Sequence, residues 1–180
     1  MDKITLINLE NTDRQVFLET LKRELKSVLG DDLPENYGDS VDWGLVKLVE
    51  DNVIDSYQLI YVDDKFWGGS GGIIRYVDEQ MIYQAGFRGF SNSNTDMRLF
   101  KSHIGCKSYV HKYNTKYQLE RARIMNCHKM LLSFNEYNSR LFRITRDYHL
   151  PKVFRKEAFQ GSEKMINFNG VPQWLITFEL

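Results

Sequence analysis

Short apolar runs and helical stripes succeed one another along the chain. Lys3–Leu9 (KITLINL) is apolar enough, over a short enough span, to predict a first strand. Thr12-Asp13-Arg14-Gln15 then matches a capping box, and Phe17, Leu21, Leu25 and Val28 follow at helical spacing until Gly30 stops the helix. A second helix is predicted over Ser40–Asn52, with Leu45, Val46, Val49 and Val53 towards its inner side. The period then changes to two. Tyr57–Val62, Phe66–Val77 and Met81–Phe90 read as three strands joined by the turns Asp63-Asp64-Lys65 and Asp78-Glu79, which makes an antiparallel meander.

Helices and strands alternate again beyond a polar stretch. Asn94–His103 predicts a short helix, Lys116–Asn126 a longer one rich in straight-chain residues, and Lys129–Phe134 a strand. Tyr137, Leu141, Ile144 and Tyr148 form one helical stripe that Pro151 ends. Met165–Phe168, Asn169-Gly170 and the alternation Trp174, Ile176, Phe178, Leu180 predict a closing hairpin. The order β-α-α-β-β-β-α-β-α-β-β implies an α/β (α+β) fold, with one mixed, mostly antiparallel central sheet flanked by helices. The strand at Lys129 follows a helix, so it can pair in parallel with an earlier strand.

Composition narrows the function classes. The 180 residues fit one domain, 1–180. Lys and Arg total 24 and balance 24 Asp and Glu, which argues against a nucleic-acid partner, because such binding needs a basic face. No run of about 18 apolar residues is present, so no membrane partner is expected. The N-terminus lacks the apolar core of a signal peptide, and Cys106 and Cys127 are the only cysteines. Together these point to a cytoplasmic protein with reduced thiols. The C-terminal strand, ending WLITFEL, can close the sheet or pair across a dimer, so both a monomer and a homodimer are compatible.

Several motifs invite chemistry. Trp67–Gly72 (WGGSGG) is glycine-rich, but it lacks the Lys-Ser/Thr ending and following helix of a P-loop, so a bulge or close backbone approach is the favoured reading. His103, Cys106, Cys127 and His128 do not suit a metal, because the adjacent Cys127 and His128 point in different directions. No serine lies in a nucleophile elbow. More informative is Arg88-Gly-Phe-Ser91-Asn-Ser93, where a strand runs through small residues towards a helix start, the arrangement that favours a pyrophosphate.

The element order resembles the GNAT superfamily of acyl-CoA-dependent N-acyltransferases. Phe66–Ile73 looks like that family's glycine-marked third strand, and LLSFNEYNSRL like its fifth strand and fourth helix, with Asn135, Asn138, Leu141 and Phe142 in the motif's places. The resemblance implies splayed central strands with acetyl-CoA or another acyl-CoA between them as substrate, no metal, and a small-molecule or peptide amine as acceptor. It implies thioester-carbonyl contacts from the backbone of Gln84, Ala85, Gly86 and Phe87. Pyrophosphate contacts would come from Arg88, Ser91 and Ser93, and further cofactor contacts from Asn135 and Asn138. Two departures stand out. Serine replaces both small residues of the pyrophosphate loop, and Phe142 stands where many relatives carry a tyrosine acid. Phenylalanine has no proton to give, so Tyr148 is the candidate acid, with Glu79 and Tyr83 as candidate bases. The alternatives are a binding protein that has lost the chemistry, or an acyl-amino-acid synthase fed by an acyl carrier protein.

Overall fold

A computed structural model describes residues 3–39, 43–54, 56–89, 109–135, 159–166 and 172–180. Seven strands occur among them: β1 (Ile4–Asn8), β2 (Ser56–Val62), β3 (Lys65–Val77), β4 (Gln80–Gly89), β5 (Lys129–Asn135), β6 (Phe159–Ile166) and β7 (Pro172–Glu179). Three α-helices accompany them: α1 (Arg14–Leu29), α2 (Gly44–Glu50) and α3 (Tyr109–Ile124). The hydrogen-bonded strand order is β1-β2-β3-β4-β5-β7-β6, a mixed sheet of the kind expected from the sequence. The chain divides into two compact units, Met1–Ile73 with Phe87–Asp96, and Ile74–Gly86 with Met97–Leu180.

The first unit is the antiparallel array β1-β2-β3 under α1 and α2. Phe17, Leu21 and Leu25 from α1, Val46 and Val49 from α2, and Tyr57 and Leu59 from β2 share one core cluster. The helical stripe and the strand alternation therefore meet on one side of the array. Asp13 caps α1, its carboxylate accepting from Val16 N at 3.1 Å. This moves the expected cap by one residue, because the Thr12 hydroxyl donates to Asn8 O at 2.8 Å. At the other end Gly30 adopts the left-handed conformation, φ 72°. Helix α2 is shorter than expected and ends before Asn52, itself left-handed at φ 56°, so Val53 lies exposed outside it.

The glycine-rich stretch lies inside β3. A Cβ on Gly71 would stand 2.1 Å from the Ser56 carbonyl oxygen, and one on Gly69 would stand 2.3 Å from the Tyr57 ring. The register slips at Ile60/Tyr61, where Gly68 and Phe66 are paired and Trp67 is passed over. Close approach and a bulge, not phosphate binding, account for WGGSGG.

In the second unit β4 and β5 are parallel, while β5 with β7 and β7 with β6 are antiparallel. Tyr83, Ala85, Leu119, Ala122, Cys127, Met130 and Phe178 form its core. His128 pins the start of the parallel ladder: its N–H donates to Met81 O at 2.8 Å, and its Nδ1 accepts from Met81 N at 3.1 Å. Cys127 is buried beside this exposed histidine, so the two neighbours do point apart. No group of three metal-ligating side chains occurs among the described residues, and no described helix is long and apolar enough to cross a membrane.

Candidate functional site

Among the described residues the parallel ladder of β4 and β5 runs Ile82↔Lys129, Tyr83↔Met130, Gln84↔Leu131 and Ala85↔Leu132, its last described pair. Both strands continue. β4 extends to Gly89, and β5 goes on pairing with β7 as far as Asn135↔Gln173. Two parallel strands that stop bonding while remaining extended leave backbone groups of β4 and β5 without each other as partners, and such groups need another acceptor or donor.

Gly86 is the first residue past the ladder, and its carbonyl oxygen accepts from Gln118 Nε2 on α3 at 2.9 Å. Gln118 is only 1% exposed. Gly86 itself is exposed, and no described atom lies within 4 Å of where a Cβ would stand. At Gly86 this stretch of β4 is thus past the described ladder with β5 and tied to a helix by the Gln118 amide, and no described atom fills the place of its missing Cβ. Such a stretch can offer peptide N–H groups to a ligand's carbonyl oxygen.

The residues expected here fall into three groups. Gln84 is half-buried and Ala85 nearly fully buried within the ladder, Gly86 lies at its end, and Phe87 and Arg88 continue the same strand. Asn135 is the last residue of β5, still paired with Gln173, so the strand outlasts its expected end at Phe134. Ser91, Ser93, Asn138, Phe142 and Tyr148 lie outside the described residues, as do the segment 94–108 and the Asn169-Gly170 hairpin.

The structure does not bring the two candidate bases to Gly86. Glu79 is the second residue of the exposed turn Asp78-Glu79, with φ 63°. It begins the approach to β4 at the end opposite Gly86, roughly 20 Å away at the rise of a strand. Tyr83 is fully buried in the core cluster with Leu119 and Ala122 of α3. Sequence reading missed Gln118. The signal was its place one turn before Ala122, a polar residue on the helix's buried stripe.

No family model matches the sequence, and no curated protein matches it. Solved structures do. A chain of the NatC complex bound to Gag peptide and CoA aligns over 99% of both chains at 10% identity, TM-score 0.56. The chain has the GNAT fold. The yncA protein from Salmonella typhimurium, solved with its cofactor acetyl-CoA, aligns at 10% identity over 98% of this chain and 94% of its own, TM-score 0.55. FeeM, an N-acyl amino acid synthase from uncultured soil microbes, aligns at 8% identity over 99% and 92%, TM-score 0.54. At these identities the GNAT likeness is one of fold.

Proposed function

We propose that this chain is an N-acyltransferase that moves an acyl group, acetyl foremost, from CoA to a small-molecule or peptide amine in the cytoplasm. The observation that carries the reading is the ladder that stops at Ala85↔Leu132 while both strands run on. A neutral amine attacks the thioester carbonyl, the new C–N bond forms as the C–S bond breaks, and CoA leaves as a thiolate; the nitrogen gives up one proton to become the amide, and the thiolate gains one to become CoA thiol. The N–H of the Gly86–Phe87 peptide receives the carbonyl oxygen, where negative charge develops. Arg88, Ser91 and Ser93 serve the pyrophosphate, Asn135 and Asn138 the rest of the cofactor, and Tyr148 the leaving thiolate in place of the absent tyrosine at Phe142. The likeness to structures solved with CoA or acetyl-CoA supports this assignment.

Saturating acetyl-CoA should raise the melting temperature, since a ligand at a hundred times its Kd adds about 2.7 kcal/mol. Gly86→Leu should remove that gain without lowering the unliganded melting temperature, because no described atom lies close to the added Cβ. The reading fails if neither CoA nor any short acyl-CoA shifts the transition. A second reading follows from Phe142: the fold binds CoA but no longer transfers from it. Binding without release of CoA thiol across a panel of amines supports that alternative. Transfer from an acyl carrier protein but not from free acyl-CoA identifies a synthase instead.

A further inference from the structure

Gln118 is a buried amide on a helix surface that it shares with Leu119 and Ala122. A methionine or leucine would fill the same space without desolvating an amide, so packing alone does not call for glutamine there. Its Nε2 reaches the carbonyl oxygen of Gly86 at 2.9 Å, at the first peptide group beyond the β4–β5 ladder. A trans peptide is planar, and its C=O and N–H point in opposite directions. A Gly86 carbonyl held by a side chain of α3 therefore turns the Phe87 N–H away from α3.

We infer that Gln118 is a positioning residue, which fixes the Gly86–Phe87 peptide so that the Phe87 N–H is presented to the carbonyl oxygen of the acyl thioester. The inference rests on the acyltransferase reading and names the side chain that aims its donor. A strand leaving its neighbour loses the ladder that would hold each peptide plane. One hydrogen bond from a buried side chain restores a single orientation before the substrate arrives, and donors set in advance stabilise developing charge best. Gly86 has the complementary role, because its missing Cβ keeps the exposed side of that peptide clear.

Gln118→Met keeps the volume and removes the donor. Wild type and variant are each titrated calorimetrically with acetyl-CoA and with CoA, of which only acetyl-CoA carries the carbonyl oxygen. The variant should bind CoA as the wild type does, while its preference for acetyl-CoA over CoA falls about five-fold, the worth of one ordinary hydrogen bond. A merely structural glutamine would weaken both ligands alike and leave the ratio where it was. An unchanged ratio overturns the inference and leaves the acyltransferase reading standing, whereas wild-type protein that binds neither ligand overturns both. If Gln118→Met does not fold, the wild-type amide spectrum decides. The Phe87 N–H shifts with acetyl-CoA and not with CoA if it serves as the donor; an equal response to the two ligands refutes that role.

Discussion

At Asp13 a single carboxylate decides where α1 begins. The Thr12 hydroxyl is engaged by Asn8 O, so the free Val16 N–H of the first turn is met by Asp13, whose charge also suits the positive helix end. Asp13→Ala should lower stability by about 1 kcal/mol in urea denaturation, and Asp13→Asn should recover most of that loss. The turn Asp78-Glu79 offers the opposite opportunity. Both residues are left-handed, at φ 49° and 63°, although neither is glycine. Two-residue hairpins of this hand prefer Asn-Gly, and left-handed conformation costs most side chains about 1 kcal/mol or more. The pair Asp78→Asn with Glu79→Gly should therefore raise the urea midpoint by an amount equivalent to about 1 kcal/mol. A lowered midpoint would show that the acidic side chains hold the turn by contacts of their own.

Strands β2 and β3 depend on two glycines in different ways. On Gly71 a Cβ collides with the Ser56 backbone, whereas on Gly69 it meets only the side chain of Tyr57. Gly71→Ala should cost at least about 2 kcal/mol, the upper part of the range for overpacking. Tyr57→Leu should relieve Gly69→Ala but not Gly71→Ala, and a double-mutant cycle reads the difference directly. The meaning of WGGSGG was legible in the sequence, because glycine inside an alternating strand already signals close approach. So were the meander, the Gly30 stop and the parallel entry of β5, each marked by strong periodicity or a turn residue. Other boundaries were not. Helix α3 starts at Tyr109, ahead of the expected Lys116, and it runs through His111, Lys112, Asn114 and Thr115, which show no apolar stripe to mark it. Strand β6 starts at Phe159, where pairing with β7 imposes extension on a segment containing Gly161, Glu163 and Lys164. Of the candidate site, Gln84–Phe87 is an expectation from resemblance alone, and Gln118 shows in the sequence only as a polar residue on an apolar helical stripe. Its partner is a backbone carbonyl 32 residues away, and no pattern of residue types records that contact.

Across the molecule, charges balance near neutrality, with a formal net charge of zero at pH 7, so alkali loads the whole chain with negative charge as lysines and the 10 tyrosines lose protons. One of those tyrosines adds a specific penalty. The Tyr61 hydroxyl donates to Glu24 Oε1 at 3.0 Å, and its pKa is pushed up to about 12, first by burial and then by the Glu24 carboxylate. Burial shifts Tyr57 in the same direction. A raised pKa means that the folded protein holds the proton more tightly than the unfolded chain. The stabilisation is therefore complete below pH 10, the ordinary tyrosine value, and is lost as pH rises from there through about 12. The urea midpoint of the wild type should fall across that window. Tyr61→Phe starts lower at pH 8 for want of the Glu24 hydrogen bond, but its midpoint should fall less steeply above pH 10. General repulsion acts on both proteins, so it cancels in the difference between their slopes. Parallel curves from pH 8 to 12 would mean that Tyr61 titrates alike in the folded and unfolded states and that repulsion alone drives the alkaline loss.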